Sequence, residues 1–262
     1  MDVPAAVDRD RADARLQGRT AIVTGAGRGV GAAIARAMAR AGAAVTIGDI
    51  DADAAAAMAA SIGENASGMR ADAGDPADAE AMVREAVARF GSVDILVNNA
   101  GVGLNKSFMD TSPADLDRVM RVNLTGAMLC SQAALRVMLP RGYGRIVNIV
   151  SISGVVANIG RTAYGASKAA LELMTRIMAL ELGGRGITIN AIAPGPVETE
   201  MAAALHTVET RRGFNERIPA GRYGTPDEIA AAAVFLASEG AGYVNGHTLT
   251  VDGGFSIAGL RR

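Results

Sequence analysis

Tyr164 and Lys168 stand four residues apart in TAYGASKAALELMTRIMALEL, where apolar residues recur at helical spacing. On a helix that interval puts both side chains one turn apart on one face. A phenol, with an ordinary pKa of about 10, is a poor proton acceptor near neutrality. A cation one turn away favours the phenolate and lowers that value, which makes Tyr164 a candidate general acid and base. Taken alone, the pair also fits an aromatic–lysine contact on a solvated helix face.

A second chemical signal is the stretch TGAGRGVG at residues 24–31. It does not follow G-x-G-x-x-G, because Val30 stands where the last glycine would be. It follows G-x-x-x-G-x-G on Gly25, Gly29 and Gly31, with Arg28 and Val30 interleaved. Gly25 suits the tight turn leaving a strand, and Gly29 and Gly31 lack the Cβ that would block a close backbone approach. A helix starting here aims free N–H groups and its positive dipole end at a site for a pyrophosphate. Twenty residues past Gly29, Asp49 closes the next strand-like run. It can accept hydrogen bonds from an adenosine ribose, or cap the helical pattern DADAAAAMAA.

These residues need strands and helices to hold them. TAIVTG, AVTIGDI, SGMRAD, VDILVNNAG, GRIVNIVS, GITINAIAPG and HTLTVDGG read as strands, several of them continuously apolar, as in a sheet covered on both faces. Patterns such as AEAMVREAVARF between them read as helices, and this alternation predicts a parallel sheet with right-handed crossovers. Residues 199–225 break the alternation just past a strand end, where open α/β sheets bind ligands. They are a candidate substrate lid, or a locally packed surface excursion. Their few bulky apolar residues (Met201, Leu205, Val208, Phe214, Ile218) predict a loosely held segment over a partly apolar pocket.

Composition narrows the function classes. The 262 residues are 50% apolar but only 3% aromatic, enough for one large domain with a small-residue core. A net charge of −1 and a pI near 6.2 argue against a nucleic-acid or anionic-membrane surface. No run reads as long and apolar enough to span a bilayer. Residues 1–17 alternate acid and base without an apolar core, so they read as a mobile leader rather than a signal peptide, ahead of one domain over 18–262. The single cysteine, Cys130, lies in an apolar run and reads as a buried thiol. A cytoplasmic protein is the expectation. His206 and His247 lack ligand spacing, and no metal site is expected. His206 reads as a surface residue of the lid with a substrate contact left open, His247 as a strand-end residue.

TGAGRGVG, NNAG at 98–101, Ser151 followed thirteen residues later by Tyr164-x-x-x-Lys168, and PGPVET at 194–199 together resemble the short-chain dehydrogenase/reductase family. The resemblance covers about residues 18–255. It implies an α/β, doubly wound, Rossmann-type fold: one domain with a seven-stranded parallel sheet and helices on both faces. It also implies a nicotinamide dinucleotide and hydride transfer between a secondary alcohol and a ketone. By the resemblance Ser151 holds the substrate oxygen, and Asn123 in RVNLTG holds a water in a proton relay behind Lys168. Lys168 also binds the nicotinamide ribose. Asn99 and Gly101 belong to the strand end beside the adenine side of the cofactor, with Asp72 near the adenine ring. Pro194, Gly195 and Thr199 shape the nicotinamide pocket, and Val197 offers backbone to the carboxamide.

By the resemblance a basic residue just before Gly29, here Arg28, can favour the extra phosphate of NADP, whereas Asp49 would repel it and accept hydrogen bonds from free ribose hydroxyls. A like-charge contact in a partly buried pocket outweighs an exposed arginine, and Ile50 and Asp51 supply no further base. NAD is therefore expected, with NADP left open. One alternative is an NADPH-dependent 3-oxoacyl-acyl-carrier-protein reductase, for which Arg211, Arg212, Arg217 and Arg222 would offer a basic dock. Another is a non-catalytic dinucleotide sensor on the same fold. The family's usual assembly implies a homotetramer through helices matching 114–138 and 162–183, with Ala127, Met128, Ala133, Ala169, Leu173 and Met174 at the contact. The C-terminal run VDGGFSIAGL would form a second contact.

Overall fold

The computed structural model describes residues 16–258. The leader expected at 1–17 lies outside these apart from Leu16 and Gln17, and Leu16 is buried in the core. Seven strands form one parallel sheet in the order β3-β2-β1-β4-β5-β6-β7. They are β1 (Thr20–Thr24), β2 (Ala44–Asp49), β3 (Ala66–Arg70), β4 (Ile95–Asn98), β5 (Gly144–Ile149), β6 (Ile187–Pro194) and β7 (Thr248–Val251). The chain order reverses between β1 and β4, and the carboxyl ends on either side of that switch frame a crevice. The strands and the two covered faces agree with the sequence reading.

Helices α1 (Gly29–Arg40), α2 (Ala52–Ile62) and α9 (Pro226–Ala237) bury one face of the sheet. Helices α3 (Pro76–Phe90), α5 (Gly126–Arg141) and α6 (Thr162–Leu182) bury the other. Local chemistry sets most of the helix starts. Asp51 caps α2 by accepting from Ala54 N–H at 3.1 Å, and Asp75 caps α3 ahead of Pro76. Capping boxes start α4 (Pro113–Met120) and α9. α1 and α6 are different: neither has a side-chain cap or an acid in its first turn, and both point into the crevice side of the sheet.

A buried amide ladder pins the centre. Asn98 Nδ2 donates to Asn148 Oδ1 at 2.8 Å and to Ser131 Oγ at 2.9 Å, and Asn148 Nδ2 donates to Thr175 Oγ1 at 2.9 Å. The ladder ties β4 and β5 to α5 and α6, which fixes the register of the strands that end at the site.

Two expectations need correction. The run 113–141, through α4, a π-helical turn (Arg121–Thr125) and α5, is 29 residues with a mean hydropathy of 1.2 in its most apolar window, enough by length and composition to cross a membrane. In the fold α5 packs on α3 and β4, and 44% of that apolar window is buried. Ala127 and Ala133 are buried against the protein's own interior, so they are not available to a partner. Phe255 is buried too, while residues 259–260 of the C-terminal run lie outside the described residues. Cys130 is buried as expected, and burial pushes its thiol up to about 12.

Candidate functional site

The loop from β1 to α1 builds a cradle. Gly25 (φ +61°) and Gly29 (φ +58°) adopt left-handed backbone that favours glycine. A Cβ on Gly25 would stand 2.8 Å from Ala100 Cα, and one on Gly31 would run into Gly25 O and Asn99 Nδ2. Asn99 Nδ2 donates to Thr24 O at 3.0 Å and to Gly25 O at 2.9 Å, so β4 braces the loop. The uncapped N–H groups of α1 open into a cavity of about 610 Å³ that runs along the carboxyl ends of the strands.

Every residue assigned to the site from sequence lines this cavity except Asn123. Asp49, buried at the end of β2, accepts from Gly27 N–H at 2.8 Å and Asp51 N–H at 3.0 Å. Arg28 is exposed and paired with Asp51 at 2.7 Å, so its charge is already answered by a carboxylate. Asp72 pairs with Arg121 at 3.1 Å. Val197 bridges to Gly224, and the Thr199 hydroxyl caps the short helix α7 (Glu200–Leu205) by accepting from Ala202 N–H at 3.1 Å.

At the other end β5 delivers Ser151 and the first turns of α6 deliver Tyr164 and Lys168. Ser151 accepts from Ser153 N–H at 3.1 Å and shares the cavity wall with the Tyr164 phenol, whose ionised form it favours. Lys168, buried, donates from Nζ to Ile149 O at 2.8 Å. The π-helical turn aims Asn123 inward, a backbone form often found at functional positions. Its Oδ1 accepts from Val102 N–H at 2.8 Å, and its Nδ2 donates to Val102 O at 3.1 Å and Ser167 Oγ at 3.0 Å. A Cβ on Gly101 would meet Asn123 Oδ1 at 3.3 Å and Lys168 Nζ at 3.5 Å, so glycine there leaves the space between amide and ammonium open.

The protonation picture differs from the simple tyrosine–lysine pair. Burial pushes the Tyr164 hydroxyl above its ordinary value, and the opposing influences are the Ser151 hydrogen bond and the charge of Arg161. Lys168 is itself held down to about 8 by burial. Arg161, missed in the sequence, sits 5.6 Å from the Tyr164 ring centroid. The signal available was its place three residues before Tyr164, one turn away on the same helix face.

Residues 199–225 are less loosely held than their composition implies. After α7 comes α8 (Val208–Arg217), capped by Thr207. Phe214 stacks on His206 at 5.3 Å and meets Tyr223 at 6.0 Å and Phe255 at 5.5 Å, while Ile218 is buried beneath. His206 is therefore no plain surface residue: it is half-buried, lines the cavity, and bonds Arg161 and Tyr223. His247 is exposed just before β7, as read.

The cradle, the acid at the end of β2 and the elongated cavity fit a dinucleotide. The comparisons agree. The family model described as enoyl-(acyl carrier protein) reductase matches residues 25–256. A 3-oxoacyl-acyl-carrier-protein reductase, FabG of Vibrio cholerae, is 41% identical over 91% of this chain and 98% of its own. A gluconate 5-dehydrogenase from Burkholderia cenocepacia, solved with NADP and tartrate, is 39% identical, with a TM-score of 0.91 over 96% of this chain and 100% of that one. A 7α-hydroxysteroid dehydrogenase, solved with NADH and 7-oxo-glycochenodeoxycholic acid, is also 39% identical, with a TM-score of 0.90 over 95% of this chain and 98% of that one. The chain belongs to the short-chain dehydrogenase/reductase family, NAD(P)-dependent oxidoreductases acting on CH–OH groups.

Proposed function

We propose that this enzyme interconverts a secondary alcohol and a ketone with Tyr164 as general acid and base, preferring NAD, as a cytoplasmic homotetramer. The bound dinucleotide supplies the hydride acceptor or donor. In oxidation Tyr164 Oη takes the proton of the substrate hydroxyl, and in reduction it returns one to the carbonyl oxygen. Ser151 Oγ donates to the same oxygen, which orients it and stabilises charge developing there. Lys168 places a cation behind the phenol and within reach of the ribose. Asn123, with its backbone bonds to Val102, holds the inner end of a proton path. Residues 199–225 cover the substrate end and limit its access to water. The cytoplasmic location rests on the single buried cysteine, which leaves no intrachain disulfide.

The observation that carries the chemistry is the placing of Ser151 and Tyr164 together on the cavity wall, with a buried ammonium one helical turn from the phenol. The NAD preference rests on Asp49 and on the pairing of Arg28 with Asp51, which leaves two carboxylates where an extra phosphate would sit. The experiment measures kcat/KM with NAD and NADP in wild type, Asp49→Ala and Tyr164→Phe. Wild type should favour NAD, Asp49→Ala should narrow the ratio, and Tyr164→Phe should lose about 10²- to 10⁴-fold in turnover while still binding cofactor. A Tyr164→Phe protein with most of its turnover would refute the mechanism.

Kinship with FabG supports a second reading, reduction of a 3-oxoacyl thioester on an acidic carrier with NADPH. The basic dock it calls for is weak here. Arg211 pairs with Glu198 at 2.9 and 2.8 Å, Arg212 with Glu216 at 2.8 Å, and Arg222 with Glu228 at 2.9 and 2.6 Å. Arg217 lies 4.9 Å over the Phe255 ring. Assay of a 3-oxoacyl thioester with NADPH separates the two readings.

A further inference from the structure

Four cationic side chains line the cavity among the described residues: Arg28, Arg121, Arg161 and Lys168. Three have an assignment. Arg28 and Arg121 are paired with Asp51 and Asp72, and Lys168 is fixed on Ile149 O. Arg161 has no carboxylate within ion-pair distance among the described residues; its partner is His206, with Nη2 3.1 Å from Nε2. A guanidinium only donates, so Nε2 accepts and the ring proton is on Nδ1, which donates to Tyr223 Oη at 3.0 Å. Burial and the charges of Arg161 and Arg211 hold His206 below its ordinary value, which suits that neutral tautomer. A neutral histidine, stacked on Phe214, thus orients the guanidinium without cancelling its charge.

The charge favours the Tyr164 phenolate, but neither an ion pair among the described residues nor helix capping accounts for a cation there. Arg161 is the N-cap of α6 and makes no capping bond, and a positive charge at a helix N-terminus works against the dipole. Its head group lies at the substrate end of the cavity, 5.6 Å from the Tyr164 ring centroid. The walls nearby are apolar: a Cβ on Gly103 would meet Leu205 Cδ1 at 3.0 Å, Met201 Sδ at 3.4 Å and Arg161 Nη1 at 3.9 Å.

The geometry points to Arg161 as the residue that selects a substrate bearing a carboxylate a few bonds from its carbinol carbon: a short hydroxy acid, or the corresponding keto acid in reduction. A planar guanidinium offers a carboxylate two parallel hydrogen bonds, which fixes orientation as well as affinity. A neutral analogue leaves the charge facing apolar walls without its counter-ion, and a site built for such a bond rejects the analogue lacking it. His206 is a positioning residue, acting through Arg161.

The inference rests on the oxidoreductase reading of this site, and the experiment separates the two. A panel of 2- and 3-hydroxy acids is assayed with NAD beside the methyl ester of each, in wild type, Arg161→Gln and Arg161→Lys. The quantity read is the ratio of kcat/KM for acid over ester, in which effects common to both substrates cancel. For at least one pair wild type should favour the acid by about 10- to 100-fold. Arg161→Gln should bring that ratio near one, and Arg161→Lys should retain part of it. A wild-type ratio of one or below for every pair, or a ratio unchanged in Arg161→Gln, overturns the inference while leaving alcohol oxidation intact. Failure of the oxidoreductase reading looks different, since neither acid nor ester is then consumed. Calorimetric titration of the same acids into wild type and Arg161→Gln in the presence of NAD then decides: weaker binding by the variant supports the inference, and equal or absent binding overturns it.

Discussion

Lys168 is asked to be charged in a place that disfavours charge. It is 4% exposed, and burial alone brings its pKa from 10.5 to about 8. Between those values the unfolded chain holds a proton that the folded chain has released, so this residue makes stability rise with pH across that window. Below it, the folded protein carries the full cost of the buried ammonium. Lys168→Met should therefore remove turnover yet stabilise the dinucleotide-free fold at pH 7 by about 1–3 kcal/mol, less whatever the unpartnered Ile149 carbonyl takes back. Urea unfolding of both proteins from pH 7 to 10 checks this. Their difference should shrink as pH rises, and a variant less stable than wild type at pH 7 would show that the lysine contributes structure instead. Tyr164 and Lys168 were legible as a pair because their relation is purely helical. Their ionisation was not, because burial comes from strands and loops distant in sequence. Arg161 was hidden for the same reason, since the histidine that reveals its role arrives 45 residues later.

Among the elements, the strands and most helix starts were readable, because each declares itself within a few residues through apolar runs, Asp or Thr caps and Pro at the first turn. The segment after β6 was only half readable. Its polar composition concealed an anchor made of rings at 206, 214, 223 and 255, which no local window contains. The anchor also divides the segment. The end of α8 through Tyr223 is tied to buried Ile218 and Phe255, whereas α7 leaves Met201 and Glu200 exposed over the cradle. A Cβ on Gly29 would lie 3.5 Å from Glu200 Oε2, so a carboxylate hangs where a pyrophosphate would come. Like charges at that range repel, and α7 or its first side chain has to turn aside when the dinucleotide binds. Hydrogen exchange should therefore split the segment: fast at 200–207 without NAD and slowed with it, but protected at 214–223 in both conditions. Glu200→Gln should tighten NAD binding a few-fold at low salt, with the gain fading as salt rises. Uniform protection across 200–223 without NAD, or a Glu200→Gln protein with unchanged affinity at low salt, would mean that α7 does not move.

For the whole molecule, the question is what covers the apolar surface that the fold leaves outside. Along α6, Ala169, Leu173, Ile177 and Leu180 fall at intervals of four, four and three, which makes one stripe. Leu173 is 56% exposed, Ile177 47% and Leu180 87%, on a helix whose opposite side is already buried against β6. Single exposed leucines need no explanation, but an aligned row on a 21-residue helix is the signature of a partner surface. Met128 on α5 is also exposed, whereas Ala127 and Ala133 beside it are used inside the subunit. A tetramer built through the α5–α6 face would use fewer of the residues assigned to it from sequence. A symmetric pairing through this face gives a dimer, and a second face is needed to join two dimers. Near the end of the described chain, Ile257 is 86% exposed and offers such a contact. Light scattering at micromolar concentration should give a mass of about 107 kDa, four times the 26.7 kDa chain. Replacing Leu173 and Ile177 together by Glu puts two like charges into a self-complementary contact and should split the assembly to dimers held by the other face. A wild-type monomer would refute the assembly outright, and a tetramer that survives the double substitution would move the interface off α6.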